Sequence, residues 1–384
     1  MSQKIPARFI GPRENHPLSR GDYNLACQLC DVMVGLRNNR PGYLASRGLD
    51  PGVFLPGHVW EGDFCPANFN TVTAKNYHTL NHLRMLTYNF SGYRLLDMQS
   101  AEGQGLISEI PPNVDEVVRA HAQRATPFVE HFLRSVANLS SSLVVKAPRI
   151  MGESGWEVGG VVINYDNWAT QQRINALYCS GVLDLLQERI KARGFCRILE
   201  IGAGYGNLAY ALTRILGPTD YTIIDLPESL VYSTCYLNVV LPGQAHHVVV
   251  PAGQKAEAGP GLTYLANHLL DEFLPSLGQM DLAINVLSLS EMSPEQVDYY
   301  ARVLGGLLGE EGVFLEQNYF KPGFHTDAKS ILSQYFPYHR RLEETVAPHT
   351  GRGEVGIWAN RYIGEVFNSS DILAWKQLFS SPAT

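Results

Sequence analysis

No run in this 384-residue chain approaches the ~18 consecutive apolar residues that a membrane-spanning helix needs. Charge is scarce as well. Only 17% of residues are charged, against about 25% in an average soluble domain, which excludes a solvated array or a disordered tail. Nor is there a basic excess: 30 Lys and Arg against 37 Asp and Glu leave a net charge of −7, so no nucleic-acid partner is expected. Cysteine numbers six, too few for a disulfide framework. The close pair Cys27 and Cys30 lies in a helix-like stretch, YNLACQLCDVMVGL, without the second pair that a zinc site requires, and reads as buried reduced thiols. The first 15 residues lack the apolar core of a signal peptide, which predicts a cytoplasmic protein. No internal repeat of roughly 20–50 residues is present, excluding solenoids and propellers.

What remains is a chain with 45% hydrophobic residues, enough to bury a core, and long enough for two domains. Residues 1–150 are irregular, with Pro-Gly punctuation at 41–42, 51–52 and 56–57 between short helical patterns at 77–86 and 114–138 and a short alternating stretch at 142–146. After them the texture changes. Residues 171–193 read as one helix ended by Gly194. Strands at 197–201, 221–225, 246–250, 281–285 and 313–317 then alternate with helices at 207–216, 228–239, 262–273 and 294–308. Two late strands (340–346 and 354–362) and a terminal helix (371–379) follow. Such alternation predicts βαβ crossovers and a doubly wound parallel α/β sheet over residues 165–384.

The chemistry concentrates in the first βα turn, ILEIGAGYGNLAYAL. Gly202, Gly204 and Gly206 allow a ligand to approach backbone at a helix N-terminus. Their G-x-G-x-G spacing departs from the G-x-G-x-x-G of dinucleotide sites, and no GKS or GKT follows to make a phosphate loop. Glu200, two residues before the first glycine, would repel a pyrophosphate but suits a cationic ligand. Asp225, 19 residues after Gly206 at the tip of the next strand, can accept both hydroxyls of an unmodified ribose. Together these residues describe a site for a cationic nucleoside, and S-adenosylmethionine has that chemistry.

The loop Glu200-Ile201-Gly202-Ala203-Gly204-Tyr205-Gly206, the turn Ile223-Ile224-Asp225-Leu226-Pro227 and the segment Asn285–Met292 resemble class I S-adenosylmethionine-dependent methyltransferases. More narrowly, the chain is similar to the sugar O-methyltransferase group. That similarity extends upstream through Asn81-His82-Leu83-Arg84, Phe90-Ser91-Gly92-Tyr93, Gly152-Glu153-Ser154-Gly155-Trp156 and Ile163-Asn164-Tyr165-Asp166, covering residues 75–320. The resemblance implies a seven-stranded Rossmann-like sheet with the last strand antiparallel, S-adenosylmethionine as methyl donor and a sugar hydroxyl as acceptor. Residues 1–150 are then an acceptor-recognition and lid region, mainly helical, and residues 151–384 the cofactor-binding methyltransferase domain.

In open parallel sheets ligands lie beyond the carboxyl ends of the strands, so the cofactor set is Glu200, Gly202, Ala203, Gly204, Gly206, Asp225, Leu226, Asn285 and Val286. Transfer to a weakly acidic hydroxyl gains about 10²–10⁴-fold from a general base. Glu291, in an apolar setting, and His325, with a suitable intrinsic pKa, are the candidates; helix capping and an ordinary loop histidine are the plainer alternatives. Asn81, Arg84 and Tyr93 are candidates for binding the acceptor, beside aromatics such as Trp60 and Phe64. His78 and His82 share a helical face but lack a third ligand, so no metal site is expected. The partner is a small-molecule acceptor, a sugar or nucleotide sugar; a homo-oligomer is compatible with the sequence. Rival readings are methylation of a phenol, polyketide or amine, a non-catalytic cofactor-binding protein of the same fold, and an NAD-dependent oxidoreductase.

Overall fold

The computed structural model describes residues 8–57, 60, 64–87, 116, 127–251, 259–342 and 355–367. A small antiparallel sheet is formed by β1 (Arg8–Ile10), β2 (Gly155–Val158) and β3 (Val161–Ile163), so the start of the described chain is tied to the segment before the α/β unit. The large sheet contains β4 (Cys196–Ile201), β5 (Thr219–Asp225), β6 (His246–Val248), β7 (Gly261–Ala266), β8 (Leu282–Val286), β9 (Val313–Gln317), β10 (Tyr338–Arg341) and β11 (Val355–Ala359). Their order is β10-β11-β9-β8-β4-β5-β7-β6. Seven of the strands run in one direction, six of them paired in parallel, and β11 runs antiparallel to both of its neighbours, β9 and β10. This is a mainly parallel, Rossmann-like α/β sheet. It has eight strands where seven were expected; the strand expected at 246–250 is the three-residue edge strand β6, and the addition is β7, between β6 and β5.

The order reverses at β4, with β5 on one side and β8 on the other. That switch point opens a crevice beyond the carboxyl ends of β4, β5 and β8. Strand β4 forms because Ile198, Leu199 and Ile201 are buried, as expected for a central strand covered on both faces.

Three expected elements are corrected. The helix at 262–273 is instead strand β7 followed by a short helical turn and helix Leu270–Leu277. Leu262, Tyr264 and Leu265 are buried with Thr263 half-buried between them, a pattern too short for periodicity alone to separate a strand from a helix. The helix at 171–193 is two helices, Tyr165–Cys179 and Val182–Arg193, because Gly181 takes the left-handed conformation (φ 79°) and breaks the rod. The alternating stretch 142–146 is a 3-10 turn, Ser141–Leu143, capped by the Ser140 side chain, which competes with strand pairing for the backbone. The terminal helix expected at 371–379 lies outside the described residues.

The N-terminal region is helical where described. Its main helix, Arg20–Arg47, starts on a Ser19 cap and stops at Gly48 in the left-handed region. It packs on helix Pro227–Val240, which follows β5, and its buried side chains belong to the same hydrophobic cluster as the sheet. Within that contact Arg40 grips Glu228 with two bonds, Nη1 to Oε2 at 3.0 Å and Nη2 to Oε1 at 2.7 Å. Cys30 is buried and Cys27 half-buried in the first helix, both as free thiols. No helix among the described residues is long and apolar enough to cross a membrane.

Candidate active site

A cleft of about 720 Å³, part of it open to solvent, lies at the switch point. Its base is the turn after β4. Gly202 has φ 74°, and a Cβ there would collide with the Ser288 side chain. Only glycine satisfies both the left-handed backbone and this close approach. Gly206, φ 92°, caps helix Asn207–Leu216, whose first turn faces the loop. Gly202 and Gly204 line the cleft, while Ala203 packs partly buried against the core.

Asp225 and Leu226 form the next wall. The Asp225 Oδ1 atom accepts the Leu226 N–H at 2.8 Å. Burial pushes the Asp225 carboxyl up to about 8, against the lowering effect of the Leu226 and Gly204 N–H groups. The residue itself is only half-buried, its exposed part facing the cleft. Asn267, just past β7, also lines the cleft. Its Nδ2 donates to the Phe54 carbonyl at 2.9 Å, whereas its buried Oδ1 has no hydrogen-bond partner among the described residues.

After β8 come Val286, Leu287 and Ser288. Leu287 has φ 70° and ψ −30°, a strained conformation for a side chain branched at Cγ. It is held there because its N–H donates to the Gln317 carbonyl at 2.8 Å and its own carbonyl accepts from Ser290 Oγ at 2.6 Å. Beyond this turn stands Glu291, whose Oε2 accepts the indole N–H of Trp60 at 2.7 Å. Burial raises the Glu291 pKa, and the Trp60 bond partly offsets that rise. Glu291 does not cap the following helix. Ser293 and Gln296 do so reciprocally, in a capping box.

The opposing wall comes from the N-terminal region. Gln296 Nε2 donates to the carbonyls of Val53 and Leu55, at 3.1 and 2.8 Å, and so clasps that segment over the cleft. Gly57 approaches so closely that a Cβ would lie 2.8 Å from the Glu291 carbonyl oxygen. Leu55, Trp60 and Met292 make this side largely apolar.

The structure thus brings Gly202, Gly204, Asp225, Leu226, Val286 and Glu291 to one cleft. Other candidates are placed elsewhere. Glu200 is buried behind the loop, accepts from Tyr221 Oη at 2.7 Å and is pushed up to about 7 by desolvation. Asn285 is fully buried and serves as a clasp: its Nδ2 donates to the Ile201 carbonyl at 2.9 Å and its Oδ1 accepts from Asn318 Nδ2 at 2.9 Å. His325 does not line the cleft; its ring packs edge-on against Tyr319. Asn81 Oδ1 accepts the Leu18 N–H at 2.8 Å and pins the N-terminal segment. Arg84, expected to face the acceptor, is instead buried in an ionic network with Glu153 and Asp166. Tyr93 and Phe90 lie outside the described residues. His78 and His82 are not a metal pair, because the helix breaks at His82, whose Nδ1 contacts the His78 carbonyl at 2.9 Å. Among the described residues no cluster of His, Cys, Asp or Glu could hold a metal ion.

No protein-family model matches the sequence, and no curated protein sequence matches it. Solved structures give weak likenesses. Human methyltransferase-like protein 13, in complex with SAH, is 15% identical, covers 56% of this chain and 94% of its own, and has a TM-score of 0.35. The S-adenosylmethionine-dependent methyltransferase SibL, in its apo form, is 16% identical over 89% of this chain and 96% of its own, with a TM-score of 0.32. Magnesium protoporphyrin IX methyltransferase from Synechocystis, with bound SAM, is 14% identical over 50% and 83%, with a TM-score of 0.29. At such values the basis for a functional reading is the geometry of the site itself.

Cleft residues that sequence patterning passed over include Asn267, Gln296, Leu55 and Gly57. Asn267 was hidden because β7 reads as a helix, so its place just beyond a strand tip was invisible. Gln296 had a visible signal, the S-x-x-Q capping box, and Gly57 a weaker one, the Pro56-Gly57 turn.

Proposed function

We propose that this protein is an S-adenosylmethionine-dependent O-methyltransferase acting on a hydroxyl of a sugar or sugar-containing small molecule. The observation that carries this reading is one cleft with an acceptor-rich nucleoside end, at Asp225 and Asn267, and a desolvated carboxyl, Glu291, past the next strand tip. When bound, S-adenosylmethionine supplies an electrophilic methyl group on a sulfonium. In its ionised form Asp225 accepts the two ribose hydroxyls, and Asn267 Oδ1 accepts an amino proton of the base. Leu226 packs against the flat apolar face of that base. The glycine turn leaves backbone room for the methionine part, and among the described residues that line the cleft there is no Arg or Lys to clamp a pyrophosphate.

On the acceptor side Glu291 takes the hydroxyl proton, which aligns a poor nucleophile and increases the electron density on its oxygen. Trp60 fixes the Glu291 carboxyl by its N–H and offers an apolar face against which a pyranose can lie. Together with Leu55 it closes the cleft against water. Residues 1–150 are thereby the acceptor-recognition region, and residues 151–384 the cofactor-binding part. His325 is the alternative base, from the loop after β9.

A second reading is favoured by the apolar wall of Leu55, Val286 and Met292, which suits a phenolic or polyketide acceptor. The test is release of S-adenosylhomocysteine against nucleotide sugars, free sugars, phenols and amines. Turnover confined to sugars or sugar nucleotides is expected. Turnover with phenols or amines alone moves the protein to the second reading, and none at all with bound cofactor leaves a non-catalytic binder.

A further inference from the structure

Three upstream segments that resemble the family take no part in the cleft, yet their charged and amide side chains converge on one buried cluster. Arg84 Nε donates to Glu153 Oε2 at 2.8 Å, and Nη2 donates to Asp166 Oδ2 at 3.0 Å. A third donor, Nη1, bonds Thr87 Oγ1. Glu153 Oε1 accepts from Asn167 Nδ2 at 3.1 Å and from Asn164. All of these side chains are buried. The Arg84 and Glu153 segments touch directly: Arg84 N–H donates to the Met151 carbonyl at 2.8 Å, and a Cβ on Gly152 would lie 3.0 Å from His82 Cα.

The cluster ends on the glycine loop at two points. The Arg84 guanidinium carbon lies 3.6 Å from the centroid of the Tyr205 ring, between Gly204 and Gly206. Tyr205 also meets Tyr236 edge-on at 5.1 Å, in the helix that follows Asp225. The second link runs from Asn207, the first residue of the helix after the loop. Its Nδ2 donates to Asn167 Oδ1 at 3.0 Å and Thr170 Oγ1 at 2.9 Å.

We propose that Arg84 is a positioning residue for the cofactor: with Glu153 and Asp166 it forms a buried cradle that clamps Tyr205 and so fixes the glycine loop from behind. A glycine-rich loop is entropically costly to order. A desolvated cation over an aromatic face, itself held by two carboxylates, supplies a rigid support for it. The same ring, wedged against Tyr236, couples the loop to the turn that carries Asp225. The cradle rests on the proposed cofactor reading only in naming what the loop binds.

The test uses the full chain. Tyr205→Leu deletes the ring and leaves every ion pair; Tyr205→Phe keeps the ring; Arg84→Lys keeps a charge but loses the planar fork. Replacing Arg84 by an apolar residue would leave two buried carboxylates unpaired, and is avoided. Hydrogen exchange of the 202–206 amides is measured with S-adenosylhomocysteine affinity and the KM and kcat for the cofactor. In Tyr205→Leu and Arg84→Lys the loop amides exchange about tenfold faster and affinity falls about tenfold, the loss falling on KM more than kcat, while Tyr205→Phe behaves as wild type. Unchanged loop exchange in whichever of Tyr205→Leu and Arg84→Lys folds with wild-type protection of the β5 and β9 amides overturns the proposal. If the loop loosens but wild type binds no S-adenosylhomocysteine, the cradle stands and the cofactor reading fails.

Discussion

Trp60 and Glu291, 231 residues apart in the chain, share a 2.7 Å hydrogen bond across the cleft. It joins the N-terminal region to the segment after β8, and it ties the protonation of the proposed base to the closure of the site. An indole N–H can donate but never accept. It therefore stabilises the ionised carboxylate, against the burial that raises the pKa.

Replacing Trp60 by Phe keeps an aromatic face and removes that donor. The Glu291 pKa then rises further, so the acid limb of the kcat/KM profile moves to higher pH. An acid limb that stays in place in Trp60→Phe would show that Glu291 is not the group titrating in it.

Glu291→Gln removes the base but keeps shape and hydrogen-bonding capacity. Turnover is expected to fall about 10²–10⁴-fold, with S-adenosylhomocysteine affinity near wild type by calorimetry. Full activity in Glu291→Gln together with a large loss in His325→Ala would transfer the role to His325.

Desolvation pushes the Asp225 carboxyl up to about 8, so it is largely protonated at neutral pH. The carboxylate is the better acceptor for ribose hydroxyls, so affinity rises as pH climbs toward 8 and above, and binding at neutral pH releases a proton, measurable by calorimetry in buffers of different ionisation enthalpy. The sign for stability is the reverse. The folded pKa lies above the unfolded value of about 3.9, so without added ligand this group's contribution to stability is lost from pH ~4 up to pH ~8 and no further beyond. Asp225→Asn should flatten that slope in denaturant titrations. Asp225→Ala should cost on the order of 2–3 kcal/mol of cofactor affinity.

Gly202→Ala places a methyl group on Ser288 at a positive φ, whereas Gly194→Ala meets nothing within 4 Å at φ 88°. Both variants pay backbone strain of about 1 kcal/mol. Only Gly202→Ala is expected to abolish cofactor binding as well. Equal binding by the two would mean that the turn after β4 does not contact the ligand.

The Arg40–Glu228 pair is the buried link between the N-terminal helix and the helix after Asp225. Arg40→Met leaves Glu228 with the half-buried Arg37 as its remaining cation, at 3.2 Å. Stability should fall by about 3 kcal/mol in urea titration, while Arg47→Met, whose exposed guanidinium pairs with Glu272, changes it by less than about 1 kcal/mol.

The parallel sheet was legible because its turns carry local signals: the three glycines after β4 and the Asp225-Leu226-Pro227 turn. Strand β7 was not legible, since six residues with buried Leu262, Tyr264 and Leu265 fit the face of a short helix as well as a strand, and with it went Asn267. Arg84 shows the opposite failure. An arginine in a polar motif suggests an exposed ligand contact, but its two carboxylate partners lie 69 and 82 residues away in sequence, and only folding brings them together. Glu291 could be placed after a strand tip, whereas its partner Trp60 depended on how the N-terminal region lies over the cleft.

S-adenosylmethionine is proposed to bind in the cleft beyond β4, β5 and β8. Calorimetric titration of the wild-type chain at pH 8 with S-adenosylhomocysteine, and separately with NADH, tests it most directly. One S-adenosylhomocysteine bound per chain, lost in Gly202→Ala, with no heat from NADH, is the predicted result. Binding of NADH in place of S-adenosylhomocysteine would contradict it.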